Sequence, residues 1–268
     1  MSKLISVSWS GGVPSTGLVA ASIAGLLPRV DVAIFADTGA ETETTYRTVE
    51  EWRGFIQQRG IDVLGAPVAT SIVDDILTPE VHFADVPFYT LHPDGKVGKL
   101  KRQCTAEYKV RPIKRGLRDY LGVSRRGRLG SGIVEQWIGY TREEVGRIHA
   151  PRVAWIKERF PWIDKGWYRF NVVDFLVDFC ERYRLPMPTD SACWMCPFRG
   201  DWWTLPEQGR AVEFDASIRY VTKLKADGPC FLTRDCEPLS EIVLKPVPEP
   251  RLLQMAFAME CGSGYCEL

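Results

Sequence analysis

The sequence predicts an α/β protein, and three stretches carry that prediction. Leu4 to Trp9 alternates apolar and small polar residues as a strand does, breaks at Ser10-Gly11-Gly12, and resumes from Leu18 to Ile23 as a helix. Asp31 to Ala36 reads as a buried strand. Within Thr42 to Arg59, Tyr46, Val49, Trp52, Phe55 and Ile56 recur at helical spacing, as core rather than as a base-stacking surface. Asp62 to Val68 supplies a third strand. Strands alternating with helices build an open sheet, whose ligands bind outside the carboxyl ends of the strands.

The first strand-to-helix turn organises the rest. Two glycines let a ligand approach the backbone, the N–H groups at a helix start point outward, and Pro14 presets φ in the first helical turn. Ser8, Ser10, Gly11, Gly12, Ser15 and Thr16 together make a cradle for a phosphate. No Gly-Lys-Ser/Thr follows the glycines, which excludes a Walker loop. At the end of the second strand, Asp37-Thr38-Gly39-Ala40-Glu41 offers two carboxylates, Asp37 and Glu41, to hold a ribose, a metal or a water. An aspartate capping the next helix is the plainer reading of the same residues.

At 268 residues and 45% hydrophobic content the chain can bury a full core. Its 34 Lys and Arg balance 34 Asp and Glu, so net charge argues neither for nor against nucleic acid. No run reaches the roughly 18 apolar residues of a membrane span and the start lacks a signal-peptide pattern. We read a soluble cytoplasmic protein with no membrane partner. Eight cysteines in such a chain point to metal or redox chemistry before disulfides. Three histidines leave little material for a His-dependent triad.

The organisation expected is an α/β nucleotide- or phosphate-binding domain over residues 1–150 and a helical, cysteine-bearing region over 151–268. Periodicity fades between Thr70 and Leu100, around Pro79, Pro87 and Pro93, which reads as a loop-rich insertion placed to cover a ligand. Between Lys96 and Arg128 basic residues outnumber the acids Glu107 and Asp119 several-fold. That block suits polyphosphate, sulfate or a nucleic-acid backbone, or else forms a solvated helix face. Ile133 to Tyr140 is a further strand, Thr141 starts a helix with acids in its first turn, and Asn171 to Arg182 is amphipathic with Cys180 in the core. Gly200 to Val221 packs its aromatics inward, and Asp201-Trp202-Trp203 lies directly after a cysteine turn. Residues 241–250 are a proline-rich connector to the tail.

That turn is Cys193-Trp194-Met195-Cys196-Pro197, a spacing that presents two thiolates to one metal or cluster. Cys104 is a third candidate ligand, and the tail offers Cys261 or Cys266 as the fourth. A 4Fe–4S cluster, a structural zinc and metal-free redox thiols all remain open. Cys230 and Cys236 lack a close-paired motif and are set aside.

The spacing Ser10-Gly11-Gly12-x-x-Ser15-Thr16 resembles the pyrophosphate (PP) loop of the adenine-nucleotide α-hydrolase-like superfamily, which holds the N-type ATP pyrophosphatases and the phosphoadenosine phosphosulfate (PAPS) reductases. Asp37-Thr38-Gly39-x-Glu41 matches the second motif of PAPS-reductase-like proteins. Cys104-Thr105-x-x-x-Lys109-x-x-Pro112-Ile113 resembles a block in which the lysine lies near the phosphates. The Ser191-Ala192-Cys193-x-x-Cys196-Pro197-Phe198 and Cys261-x-Ser263-Gly264-x-Cys266 blocks recur in the same group. In that group Tyr140, Glu143 and Arg147 fall in the substrate pocket.

The resemblance implies a Rossmann-like parallel sheet with helices on both faces, plus the helical cysteine-bearing region. It implies an enzyme acting on a nucleotide or nucleic acid by adenylation, sulfur transfer or hydrolysis at a sugar carbon, with Asp37, Glu41 and Lys109 catalytic and Arg111 neutralising phosphate charge. ATP and magnesium are the implied ligands, although Pro14 stands where the pyrophosphatases carry an aspartate. The alternatives are a DNA-modifying or base-excising enzyme of phage defence and a non-catalytic nucleotide- or nucleic-acid-binding subunit of a protein partner. A sulfonucleotide reductase ranks last, because Glu260-Cys261-Gly262 copies its tail but Gly264 replaces the histidine.

Overall fold

The computed structural model describes residues 3–66, 70–78, 85–148, 153–199, 202, 206–224 and 228–242. Cys261, Cys266, Asp201, Trp203 and most of the proline-rich connector lie outside these residues. Two compact units interleave along the chain. One comprises residues 1–37, 43–69 and 108–191, and the other residues 38–42, 70–107 and 192–268. The α/β unit thus continues past residue 150 to Ser191.

The first unit is a Rossmann-like layer structure. Its strands are β1 (Leu4–Ser8), β2 (Val32–Ala36), β3 (Asp62–Ala66), β6 (Val134–Trp137) and β7 (Ile156–Arg159), all parallel in the order β3-β2-β1-β6-β7. Parallel neighbours need a crossover, and α1 (Val13–Ile23) and α2 (Glu43–Gln58) provide the first two. Every residue of β2 is buried, as expected of a strand covered on both faces. On one face Trp9, Leu18, Trp52, Val172, Leu176 and their neighbours form the larger core. Trp52 there stacks on Phe179, with ring centroids 5.9 Å apart, and its indole N–H donates to the Pro186 carbonyl at 3.0 Å. The opposite face packs Ile34, Val134 and Ile156 against Ile113 and Leu117 of α4 (Arg111–Tyr120).

Helix α6 (Arg169–Tyr183) lies on α1, and Gly17 permits the contact: a Cβ there would fall 2.6 Å from Val172 Cγ1. Cys180 is buried on α6, as its spacing predicted. Strand β7 escaped sequence reading because it is a charged edge strand, Ile-Lys-Glu-Arg, with one buried residue.

The second unit holds α3 (Ile72–Leu77), a three-stranded antiparallel sheet and α7 (Gln208–Leu224). The sheet orders β5 (Val97–Lys99), β4 (Tyr89–Leu91) and β8 (Cys230–Phe231). The stretch read as loop-rich therefore contains a short helix capped by Ser71, whose hydroxyl accepts from the Val73 N–H at 3.2 Å, and a hairpin. Elements of two to six residues are too short to show a period. Asp215 on α7 is fully buried, and its carboxylate is satisfied by the Leu232 and Leu239 N–H groups and by Arg219. No helix among the described residues is long and apolar enough to cross a membrane.

Candidate functional site

The sheet order changes direction at β1: the chain moves outward to β2 and β3, then returns to the other side of β1 as β6. Ligands of open α/β sheets bind in the crevice at the carboxyl ends of such a switch point. The Ser10–Ser15 turn leaves β1 there. From the other side of the switch Gly139, which follows β6, packs so closely on the first turn of α1 that a Cβ would lie 2.8 Å from the Ser15 nitrogen. Gly11 adopts φ +75°, and a Cβ on it would meet Val49 Cγ2 at 2.6 Å, so conformation and space both require glycine.

Inside the turn the hydroxyls form a chain. Ser191 Oγ donates to Ser10 Oγ at 2.8 Å, Ser10 and Ser15 share a 3.0 Å hydrogen bond, and Ser15 Oγ donates to the Gly12 carbonyl at 3.2 Å. The Ser10 N–H donates to Ser15 Oγ at 3.1 Å. Helix α1 starts with fewer donors than a bare N-terminus, because Val13 N–H bonds the Thr189 carbonyl at 3.2 Å and Pro14 has none. Among the described residues the Gly11 and Ser15 N–H groups have no hydrogen-bond partner. Thr16 is fully buried and accepts from the Trp9 indole N–H at 3.0 Å, tying strand to helix. Ser8 ends β1, half-buried beside Ile34.

Ser191 joins this turn from far along the chain. It lies 181 residues from Ser10, and no local signal links them. A Cβ on Gly12 would fall 2.8 Å from Ser191 Oγ, so the second glycine makes room for this distant serine.

Asp37 follows β2 at the same edge, exposed, and accepts a 2.6 Å hydrogen bond from the Tyr46 hydroxyl. Lys109 lies in a π-helical turn (Ala106–Val110) that runs directly into α4, where Arg111 is the first residue. The last residue of α4, Tyr120, donates to Asp62 at the start of β3. Helix α4 therefore runs antiparallel to the strands, and Lys109 and Arg111 lie at their carboxyl edge. Tyr140, just past β6, stacks on Phe160 at 5.6 Å, and the Arg147 guanidinium lies 4.4 Å from the Tyr140 ring centroid while pairing with Glu144. Glu143 accepts from the Arg169 N–H at 2.8 Å.

Glu41 belongs to the second unit and is buried beside the cysteine turn. It forms an antiparallel bridge with Cys193, and the Trp194 N–H donates to the Ala40 carbonyl at 2.8 Å. The Thr38 hydroxyl lies 3.5 Å from Glu41 Oε1 and 3.6 Å from Cys193 Sγ. Gly39 takes φ +71°, and a Cβ would strike Ser71 at 2.6 Å. Cys193 and Cys196 are half-buried, and the Cys196 N–H closes the turn on the Cys193 carbonyl at 3.0 Å.

Cys104 is half-buried too. No group of three His, Cys, Asp or Glu able to hold a metal ion occurs among the described residues, and Cys261 and Cys266 lie outside them.

No family model matches this chain, and neither does any curated protein. Among solved structures, a phosphoadenylyl-sulfate (PAPS) reductase from Candida auris, in a phosphate complex, matches with a TM-score of 0.42 and 14% identity. The match covers 72% of this chain and 82% of that one.

Proposed function

We propose that this chain is an enzyme that binds the phosphate of a nucleotide or of a nucleic acid in the Ser10–Ser15 turn and acts on the attached sugar or base. The observation that carries this reading is the convergence of three serine hydroxyls and two backbone N–H groups at the switch point of a parallel sheet. The three hydroxyl protons run inward along Ser191, Ser10, Ser15 and the Gly12 carbonyl. Hydroxyls rotate freely, so an oxyanion draws them outward without moving the backbone. Lys109 and Arg111 neutralise its charge, and Asp37, held by Tyr46, orients a sugar hydroxyl or accepts a proton from water.

A donor set of this size suits one phosphate better than a magnesium triphosphate, and Pro14 supplies no metal-binding carboxylate. The reading therefore favours transfer or hydrolysis on a monophosphate or phosphodiester over ATP cleavage. Should a 4Fe–4S cluster or zinc be bound, Cys193 and Cys196 would provide two of its thiolates, with Cys104, Cys261 and Cys266 as the remaining candidates. Such a group would supply redox or structural chemistry.

The test is calorimetric titration of the full chain with AMP, ATP and inorganic phosphate, alongside assay of ATP conversion to AMP with and without DNA. Asp37→Asn is expected to leave AMP affinity within about twofold and to abolish turnover. Release of AMP and pyrophosphate by the wild type would overturn the monophosphate preference. A protein that binds none of the three ligands would overturn the reading altogether.

A further inference from the structure

The first turn of α6 stands at the carboxyl edge of the sheet beside the Ser10–Ser15 turn, and four contacts within the first unit put it there. Val172 of α6 fills the space that Gly17 leaves on α1, and the Trp162 indole N–H donates to the Pro14 carbonyl at 2.9 Å. The Arg142 N–H, shortly past β6, donates to the Trp167 carbonyl at 2.8 Å. The Arg169 guanidinium pairs with Asp190, the residue that precedes Ser191. On this turn Tyr168 and Phe170 are 42% and 50% exposed, their rings stacked with centroids 5.7 Å apart and planes 11° from parallel. Val145, in the 3₁₀ turn Arg142–Arg147, is 56% exposed. Apolar side chains scattered singly over a surface are ordinary, whereas a half-exposed aromatic stack beside a further exposed valine suits a flat ligand. The acids at this corner do not oppose a polyanion freely. Glu143 accepts from the Arg169 N–H, Asp190 pairs with the Arg169 guanidinium, and the first turn of α6 itself carries no acid.

We propose that the substrate of the Ser10–Ser15 turn is a single strand of nucleic acid, with a base flanking the target nucleotide stacked on Tyr168 and Phe170. The inference rests on the function proposed above and narrows its substrate from a mononucleotide to a strand. The sheet order supplies the direction. Asp37 follows β2 on one side of β1, while the start of α6 is tied to the chain after β6 on the other. A phosphate in the turn therefore has the group proposed to act on sugar or base to one side and the aromatic pair to the other. A mononucleotide reaches only the first, whereas a strand extends to both. An aromatic ring stacks on any base, so the pair adds affinity with little sequence preference. A duplex covers the faces of its bases, which restricts the contact to an unpaired stretch.

The experiment is calorimetric titration of the full chain with dAMP, with 5′-phosphorylated hexadeoxyadenylate, and with a 5′-phosphorylated strand of the same length that is abasic beyond its first nucleotide. The abasic strand carries the same phosphates, so it controls for charge and for the number of places at which a phosphate can bind. Stacking of one base or more is expected to make the hexamer bind about fivefold tighter, or better, than the abasic strand. Y168A/F170A should bring the hexamer to within about twofold of the abasic strand and leave dAMP affinity unchanged. The aromatic exchange Y168F/F170Y should retain hexamer binding. Melting temperature serves as the folding control for each variant.

S10A/S15A should weaken dAMP and the hexamer by the same factor, because one phosphate anchors both. Binding of dAMP with equal affinities for the hexamer and the abasic strand, the result expected if the aromatic pair receives a protein instead, would overturn this inference and leave the proposed function standing. Failure of dAMP and the hexamer alike to bind would overturn both. Hexamer binding unaffected by S10A/S15A, or by Y168A/F170A, would show that no strand runs from the turn to the aromatic pair and would overturn the inference too.

Discussion

Ser191 reaches back across 181 residues to donate to Ser10 at 2.8 Å, and the space it occupies is the space that glycine leaves at position 12. Its neighbour Thr189 accepts from the first N–H of α1, so the segment before the cysteine turn completes the Ser10–Ser15 cradle from outside. The cradle is thus a tertiary structure and not a local motif. Ser191→Ala removes the first donor of the hydroxyl chain, while Gly12→Ala drives a Cβ against Ser191 Oγ. Each is expected to weaken AMP or phosphate binding about three- to tenfold, the worth of one to two hydrogen bonds. Because the Gly12 Cβ would also lie 3.1 Å from the Ser191 nitrogen and 3.3 Å from its Cβ, which Ser191→Ala retains, the double variant should lose more than either single variant but less than their sum. Calorimetry checks this, and additive losses would show that the two residues act separately.

Packing behind the cradle sets a second expectation. Alanine in place of glycine normally gains helix stability, by roughly 0.5–1 kcal/mol. At Gly17 the new Cβ would lie 2.6 Å from Val172 Cγ1 and 3.1 Å from Trp162 Cζ2. Overpacking of that kind costs about 1–3 kcal/mol and outweighs the helix gain. Gly17→Ala should therefore lower the melting temperature. Gly17→Ala/Val172→Ala should fall short of the summed single losses by about 1 kcal/mol, since the second change opens the room the first needs. Thermal melts of the four proteins close the cycle.

Much of the first unit was legible in the sequence, and the reasons are physical. Strand β2 is continuously apolar because both faces are covered, and α2 has a clear apolar stripe because one face meets the sheet. Cys180 falls on the buried side of α6 by the same periodicity. Strand β7 and the β4–β5 hairpin carry too few buried residues to generate a pattern. The pairing of Glu41 with Cys193, like that of Ser191 with Ser10, joins residues distant in the chain, and a single sequence holds no signal for such contacts. Position 109 was legible as a lysine but not as part of a π-turn, a local distortion that residue propensities do not encode.

The tie between α4 and β3 predicts a dependence on alkaline pH. Tyr120 donates to Asp62 at 2.6 Å. That hydrogen bond, with burial and the charges of Asp62 and Asp31, pushes the Tyr120 hydroxyl up to about 12 from an ordinary value of 10.0. A group whose folded value is raised stabilises the fold fully below its unfolded value, and that stability is lost as pH rises from about 10 to about 12. Tyr120→Phe should be less stable than the wild type at pH 8, and the gap should shrink above pH 10. Solvent screening around a side chain 38% exposed holds the effect under about 1 kcal/mol. A gap that stays constant to pH 12 would show that Tyr120 contributes by packing alone.

The cysteines divide by burial, and alkylation should reveal the division. Burial pushes the Cys180 thiol up to about 11, where it donates weakly to the Pro186 carbonyl at 3.7 Å. Cys236 is also raised, by burial and then by the charge of Asp235, and Cys230 is only 1% exposed. The thiolate is the nucleophile, so Cys180 and Cys236 are doubly protected at pH 8, by lack of charge and by lack of access, and Cys230 is protected by lack of access. Cys104, Cys193 and Cys196 are each half-buried. Iodoacetamide applied to metal-free protein at pH 8 should label those three first, as peptide mass mapping would show. Cys180 should react only at the rate of unfolding, and mild denaturant should accelerate its labelling while leaving that of Cys193 nearly unchanged. If Cys180 were labelled as fast as Cys193 in native protein, the packing of α6 against α1 and α2 would be looser than the buried Val172, Leu176 and Phe179 side chains imply.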